Sequence, residues 1–238
     1  MKKVLFLLAV SAATIGSAAA QGLTYGIKAG ANYANLWGKN KPSGSTYAFG
    51  GLGGLAVNYA FNDLASLQVE GLFSQKGFKV TDFNYENAAG EKFKAEGSQV
   101  LNYVDIPVLV KINTSMLFFE LGPQVGLLIN SKLKDDYEVK GADGKVISER
   151  SSSSDANAII GHNKVSRTTG GIPTFDIGII AGVGYNITPA FSFGVRYNAG
   201  LKTLVDTKNT SAGDEQRLYN NAFQAQLGYM FGAISAGK

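Results

Sequence analysis

Along most of this chain, apolar and polar residues alternate with a period of two. From Phe191 to Lys202 (FSFGVRYNAGLK), Phe191, Phe193, Val195, Tyr197, Ala199 and Leu201 share one face, and Ser192, Gly194, Arg196, Asn198, Gly200 and Lys202 the other. Unbroken alternation marks a strand with two unlike faces, and this run outlasts an ordinary soluble strand. Phe175, Ile177, Ile179, Ala181, Val183 and Tyr185 likewise oppose Asp176, Gly178, Ile180, Gly182 and Gly184. Phe223, Ala225, Leu227, Tyr229 and Phe231 oppose Gln224, Gln226, Gly228 and Met230, and Leu117 to Ile129 repeats the scheme. The first half is noisier: Tyr25, Ile27, Ala29 and Ala31 oppose Lys28 and Asn32, Val69 and Phe73 oppose Gln68 and Glu70, and Val104 to Ile112 opposes Asp105 and Lys111. Eight strands are predicted, at residues 23–34, 47–60, 64–81, 98–113, 116–132, 172–186, 190–203 and 221–231.

A soluble barrel or sandwich also has an apolar face and a polar one. Here the polar face is rich in glycine, which suits a crowded lumen better than a solvated exterior. Aromatic residues collect near strand ends, with Tyr25, Tyr59, Tyr185, Phe191, Tyr229 and Phe231 at one rim and Trp37, Phe49, Phe78 and Phe175 towards the other. That is the girdle arrangement of a barrel whose apolar face meets lipid and whose interior is polar. Short connections near Asn62-Asp63, Asn113-Thr114-Ser115 and Asn186 to Pro189 alternate with long ones at residues 36–46, 82–97, 133–171 and 204–219. Periplasmic turns and extracellular loops differ in this way. The expected fold is all-β: an eight-stranded antiparallel transmembrane up-and-down β-barrel.

Residues 1–20 read as an address. Lys2 and Lys3 precede a short apolar run, Val4 to Val10, and small residues lead to Ala18-Ala19-Ala20. This is the layout of a cleaved secretory signal peptide, and the run is too short for a spanning helix. Its removal leaves 238 − 20 = 218 residues, read as one barrel domain over 21–238, and lowers the formal charge from +4 to +2. The basic balance therefore does not point to nucleic acid. With no cysteine in the chain, an exported protein must be held by its fold alone. A chain lacking long apolar helices crosses a membrane as a closed barrel, so outer-membrane lipid and the barrel-assembly machinery are its expected partners.

Several stretches, GIKAGAN (26–32), FSQKG (73–77), YVDIPVLVK (103–111), FELGPQVG (119–126), FDIGIIAGVGY (175–185) and FGVRYNAGL (193–201), resemble the PorT-like outer-membrane β-barrel family of Bacteroidetes. The resemblance runs from about Leu23 to Phe231 and rests on the order and spacing of these stretches. It implies an eight-stranded barrel in the outer membrane of a Gram-negative cell and, through the family's namesake, a secretion-associated role. The tail Gly232 to Lys238 departs from the usual ending on a terminal aromatic.

Parity places Lys28, Glu70, Asp105, Lys111, Glu120, Asp176, Arg196 and Lys202 on the inner face, four acids and four bases. Buried charge must be paired, and an eight-stranded barrel is scarcely wider than its own side chains. A structural plug of ion pairs is expected, with a small porin-like channel or transporter as the alternative. A lipid-modifying enzyme would need a nucleophile and base on rigid strand ends. The one histidine, His162, lies instead in a long connection near Ser151 to Ser154, so no catalytic residue is expected. Neither a zinc site nor the spaced ligands of a calcium loop are present around Asp135-Asp136 and Asp143-Gly144, and no metal or cofactor is expected. Gly178, Gly182 and Gly184 open no helix, so they are read as packing glycines. Pro107 and Pro123 sit inside strands, where a shared bulge or gap is expected. The remaining candidates for protein partners are the loops 82–97 and 133–171, giving a binding, assembly or structural role at the cell surface.

Overall fold

The computed structural model describes residues 22–39, 41, 44–88, 90–157, 168–169, 172–204 and 217–231. The address at 1–20, His162 and the tail 232–238 lie outside the described residues. Among the described residues eleven strands follow in order: β1 (Leu23–Lys39), β2 (Ser45–Ala60), β3 (Ala65–Glu86), β4 (Lys92–Asn113), β5 (Leu117–Lys140), β6 (Val146–Asn157), β7 (Thr168–Thr169), β8 (Ile172–Pro173), β9 (Phe175–Asn186), β10 (Phe191–Gly200) and β11 (Arg217–Phe231).

Eight of them close a ring. Neighbours pair antiparallel in the order β1-β2-β3-β4-β5-β9-β10-β11, and β11 returns to β1 from Tyr25↔Phe231 to Lys39↔Arg217. Three tight turns lie at one end, each fastened by a side chain with local hydrogen-bonding capacity. Asn62 Oδ1 accepts from the Leu64 and Ala65 amides at 2.9 and 2.8 Å. Thr114 Oγ1 donates to the Leu117 carbonyl at 2.8 Å, and Thr188 Oγ1 accepts from the Phe191 amide at 2.9 Å. This short-turn end is the periplasmic end by the asymmetry of such barrels.

The outer wall is apolar and exposed, with Ile27, Leu55, Val69, Ile106, Leu121, Ile179, Val195 and Leu227 pointing away from the ring. At the periplasmic rim Tyr25 and Tyr229 flank Phe231 at 5.8 and 5.1 Å between ring centroids, Tyr59 meets Phe61 at 5.4 Å, and Phe191 and Tyr185 stand on neighbouring strands. The opposite rim carries Trp37 against Tyr219, Tyr33 stacked on Tyr47, and Tyr197 against Phe223. Phe78 does not belong to that rim. It turns inward and packs on a buried apolar cluster of Leu36, Leu101, Tyr103, Leu128, Leu204 and Leu218, because its even position shares the inner face with Ser74 and Lys76.

The two prolines interrupt the ladder without shifting it. β3 and β4 pair at Val69↔Val108 and again at Leu72↔Asp105, so the ladder lapses beside Pro107. β4 and β5 pair at Pro107↔Gln124 and resume in step at Val110↔Leu121, lapsing beside Pro123. Each proline lacks a donor on one side, which yields two adjacent gaps. The bulge of this hairpin lies higher, where Asn102↔Asn130 is followed by Tyr103↔Leu128.

Strand length is where the structure departs most from the sequence reading. β9 and β10 have 12 and 10 residues, close to the span of a bilayer strand, about 9–11 residues. β3, β4 and β5 have 22, 22 and 24. Residues 82–97 and 133–157, expected as loops, are largely strand: β3 turns tightly into β4 through Asn87 to Glu91, and β5 into β6 through Gly141 to Lys145. Above the outer rim these strands form a sheet in the order β3-β4-β5-β6. About ten surplus residues at ~3.3 Å each carry it roughly 30 Å past the membrane.

Candidate functional site

Inside the ring, even-numbered residues of β1, β3, β5, β9, β10 and β11 and odd-numbered residues of β4 face one another. Lys28, Glu70, Glu120 and Arg196 form one ionic cluster, all buried. Glu70 is its hub. It receives Lys28 Nζ at 2.7 Å, Arg196 Nη1 and Nη2 at 2.7 Å each, and the side-chain amide of Gln68. Arg196 also donates through Nε and, at 3.0 Å, through Nη2 to Glu120. The amide oxygen of Gln226, turned towards the guanidinium, accepts from Nη2 at 3.0 Å. A planar donor fork held between two carboxylates is the geometry in which arginine pairs best.

Glycine makes this cluster fit. A Cβ on Gly182 would stand 2.8 Å from Arg196 Cγ and 2.9 Å from a Glu120 oxygen. One on Gly126 would stand 2.7 Å from an Asp105 oxygen. The glycines of the polar face leave the space that long charged side chains of facing strands fill.

Nearer the outer end Asp105 pairs with Lys76 at 2.8 Å. Asn220 Nδ2 donates to Asp176 Oδ2 at 3.0 Å and to the Tyr103 hydroxyl at 3.1 Å. Above these groups sits the apolar cluster of Leu36, Leu101, Leu128, Leu204 and Leu218. Towards the periplasm Lys111 donates to Gln68 Oε1 at 3.3 Å, with its ammonium over the Phe118 ring at 4.0 Å from the centroid.

Of the eight charged residues singled out from the sequence, Lys28, Glu70, Glu120 and Arg196 come together. Asp105 and Asp176 belong to the outer group and Lys111 to the periplasmic end. Lys202 is a correction. It follows the last residue of β10, where the strand's alternation no longer directs it inward, and its ammonium lies over the rim residue Phe175, 5.5 Å from the ring centroid. The acid–base balance is kept by Lys76, which sequence reasoning passed over although it shares the parity of Gln68, Glu70 and Ser74 on β3. Tyr103, Asn220 and inward apolar residues such as Leu109 and Phe118 were likewise missed, whereas Asn32 stands on the inner face where the alternation put it. Ser151 to Ser154 lie exposed on β6, and Asp136 accepts from Ser151 Oγ at 2.5 Å. Among the described residues no group of three or more metal-ligating side chains is assembled.

No curated protein matches this chain. Solved structures similar to it include Ail, the attachment invasion locus protein of Yersinia pestis, at 11% identity and a TM-score of 0.42, covering 89% of this chain and 99% of that one. Neisserial surface protein A has 14% identity and a TM-score of 0.41, covering 89% of this chain and all of the other. OprG of Pseudomonas aeruginosa has 11% identity and a TM-score of 0.32, covering 90% and 97%. A family model described as an outer membrane protein beta-barrel domain matches residues 19–206, well over half of the chain. With its closed eight-stranded ring and apolar outer wall, the chain is a member of the outer membrane protein beta-barrel domain family and resides in the outer membrane.

Proposed function

We propose that this protein is a surface-binding barrel in which the lumen is a structural plug and the projecting β3-β4-β5-β6 sheet is the binding element. The carrying observation is the lopsided wall: the ring strands β3, β4 and β5 continue past the outer rim, where β6 joins them, while β9 and β10 stop near it. Strand segments extended into the medium, beyond the part that closes the ring, are suited to contact rather than conduction. The sheet has two faces. Lys94, Glu96, Asp136, Glu138 and Glu149 line the charged one, whereas Phe93, Leu133, Tyr137 and Val139 continue the lumen-facing side, with Leu133 and Tyr137 exposed. Among the described residues β6 has β5 as its one ladder partner, leaving an edge able to accept another strand.

A PorT-like, secretion-associated version of this role is the finer proposal and rests on the sequence resemblance. Export through cleavage after Ala20 and contacts with the assembly machinery belong to the same reading. The channel alternative is disfavoured by the ion pairs and the apolar cluster stacked along the lumen. The experiment displays the full chain, and a variant with residues 132–171 replaced by a short Asn-Gly turn, on a Gram-negative host, and measures adhesion to surfaces coated with extracellular proteins or polysaccharides. Adhesion by the full chain and loss in the trimmed variant supports the proposal. Equal adhesion by both, or adhesion by neither, contradicts it.

A further inference from the structure

The periplasmic end of the lumen holds a cavity that the surface-binding role does not use. It has a volume of about 460 Å³ and is walled by Thr24, Asn58, Gln68, Lys111, Asn113 and Thr188. That volume lies in the range of small-ligand sites, roughly 300–1,000 Å³. Hydroxyl and amide side chains, Ser115 and Asn186 included, share the wall with Ala60, Ile187, Pro189 and Met230, and Lys111 is its one charged side chain.

The charge of the neighbouring cluster makes Lys111 the odd member. Lys28, Lys111 and Arg196 are three cations, and Glu70 and Glu120 are two carboxylates. Both carboxylates are engaged elsewhere, Glu70 by Lys28 and Arg196 and Glu120 by Arg196. Lys111 is held instead by a neutral amide oxygen, Gln68 Oε1 at 3.3 Å, and by the face of Phe118. Phe118 reaches that place because the neighbouring strand β9 carries glycine: a Cβ on Gly184 would fall within its ring. Thus a positive charge, fixed from below by an aromatic ring, faces the cavity with no carboxylate within ion-pair distance among the described residues. An ammonium so placed, without a carboxylate partner, favours an anion beside it. Asn58 Oδ1, buried and without a hydrogen-bond partner, adds an acceptor for a protonated ligand oxygen or a hydroxyl.

We propose that this mouth is a binding site for a small soluble periplasmic oxyanion, a phosphate or carboxylate group, with Lys111 as the charge partner and the surrounding hydroxyls and amides as hydrogen-bonding groups. The site opens on the face opposite the projecting sheet, so it stands or falls independently of surface binding.

The test is amide-resolved NMR of the refolded chain in zwitterionic micelles, titrated with sodium phosphate and then with sodium succinate, against sodium chloride at matched ionic strength. The expected result is saturable shifts confined to Thr24, Asn113, Thr188 and their neighbours for at least one of the two anions. Lys111→Gln should weaken binding about tenfold or more, as expected for losing a charge-assisted partner, while Lys111→Arg retains it. Heat-modifiable gel migration shows whether each variant has closed its barrel. If Lys111→Gln does not, the location of the wild-type shifts decides alone. No saturable response to either anion, shifts at the outer end, or equal affinity in folded Lys111→Gln overturns the proposal. Shifts that arise only in nanodiscs containing phosphatidylglycerol would assign the anion to a lipid headgroup and overturn the soluble ligand.

Discussion

Glu70 shows what a single residue does in this lumen. Its carboxylate receives Lys28, Arg196 and Gln68 together, so its neutralisation leaves Lys28 and Arg196 facing a single acid, Glu120. Breaking a buried ion pair by removing one partner costs about 3–5 kcal/mol. Glu70→Gln is expected to lower the urea midpoint of the barrel in lipid vesicles accordingly; a change under about 1 kcal/mol would mean that the cluster carries little stability. Gly182 and Gly71 form a second contrast. A methyl on Gly182 meets Arg196 and Glu120, and overpacking of this kind costs about 1–3 kcal/mol. A Cβ on Gly71 meets nothing within 4 Å on the outer wall, so Gly71→Ala should stay within about 0.5 kcal/mol. The same unfolding assay compares them, and equal losses would contradict the crowded-lumen account. Individual inward charges were legible because parity alone locates them. Lys76 escaped since Gln75 and Gly77 flank it and interrupt the apolar half of the pattern. Tyr103, Leu109 and Phe118 escaped for the opposite reason: they are apolar or aromatic on a face identified by its polarity.

Among the elements, the membrane-spanning strands were readable and their outward continuations were not. Within the bilayer each strand has lipid on one side and packed polar groups on the other, and that contrast writes a period of two into the sequence. Above the rim much of both faces of β4, β5 and β6 meets water, so Lys, Glu, Asp and Ser occupy successive positions and the contrast fades. Phe93, Tyr137 and Val139 keep a trace of it, with Phe93 and Tyr137 6.4 Å apart between centroids. The ladder of the ring and that of the projecting sheet share strands but not their lower pairings. Replacing 132–171 with a short turn joins β5 directly to β9, already its antiparallel neighbour from Leu117↔Tyr185 to Leu127↔Phe175. The trimmed chain should therefore refold to a heat-modifiable barrel with a β-type circular dichroism spectrum. Loss of that closed form would show that the outer sheet is needed to build the ring.

The whole molecule joins an apolar outer wall, a lumen stacked with paired charges beneath an apolar cluster, a polar periplasmic mouth and a sheet lifted clear of the membrane. Function is read from the parts that the ring does not need, since one barrel architecture serves many purposes. The central claim is that the lumen supports the fold and does not transmit ions. Single-channel recording of the refolded, heat-modifiable chain in a planar bilayer tests it most directly. The account predicts inserted protein with no stable conductance steps, in wild type and in Lys202→Ala, whose side chain lies outside the ionic cluster. Reproducible open steps that change size on Lys76→Ala or Arg196→Ala would contradict it and place a conducting path through the ionic clusters.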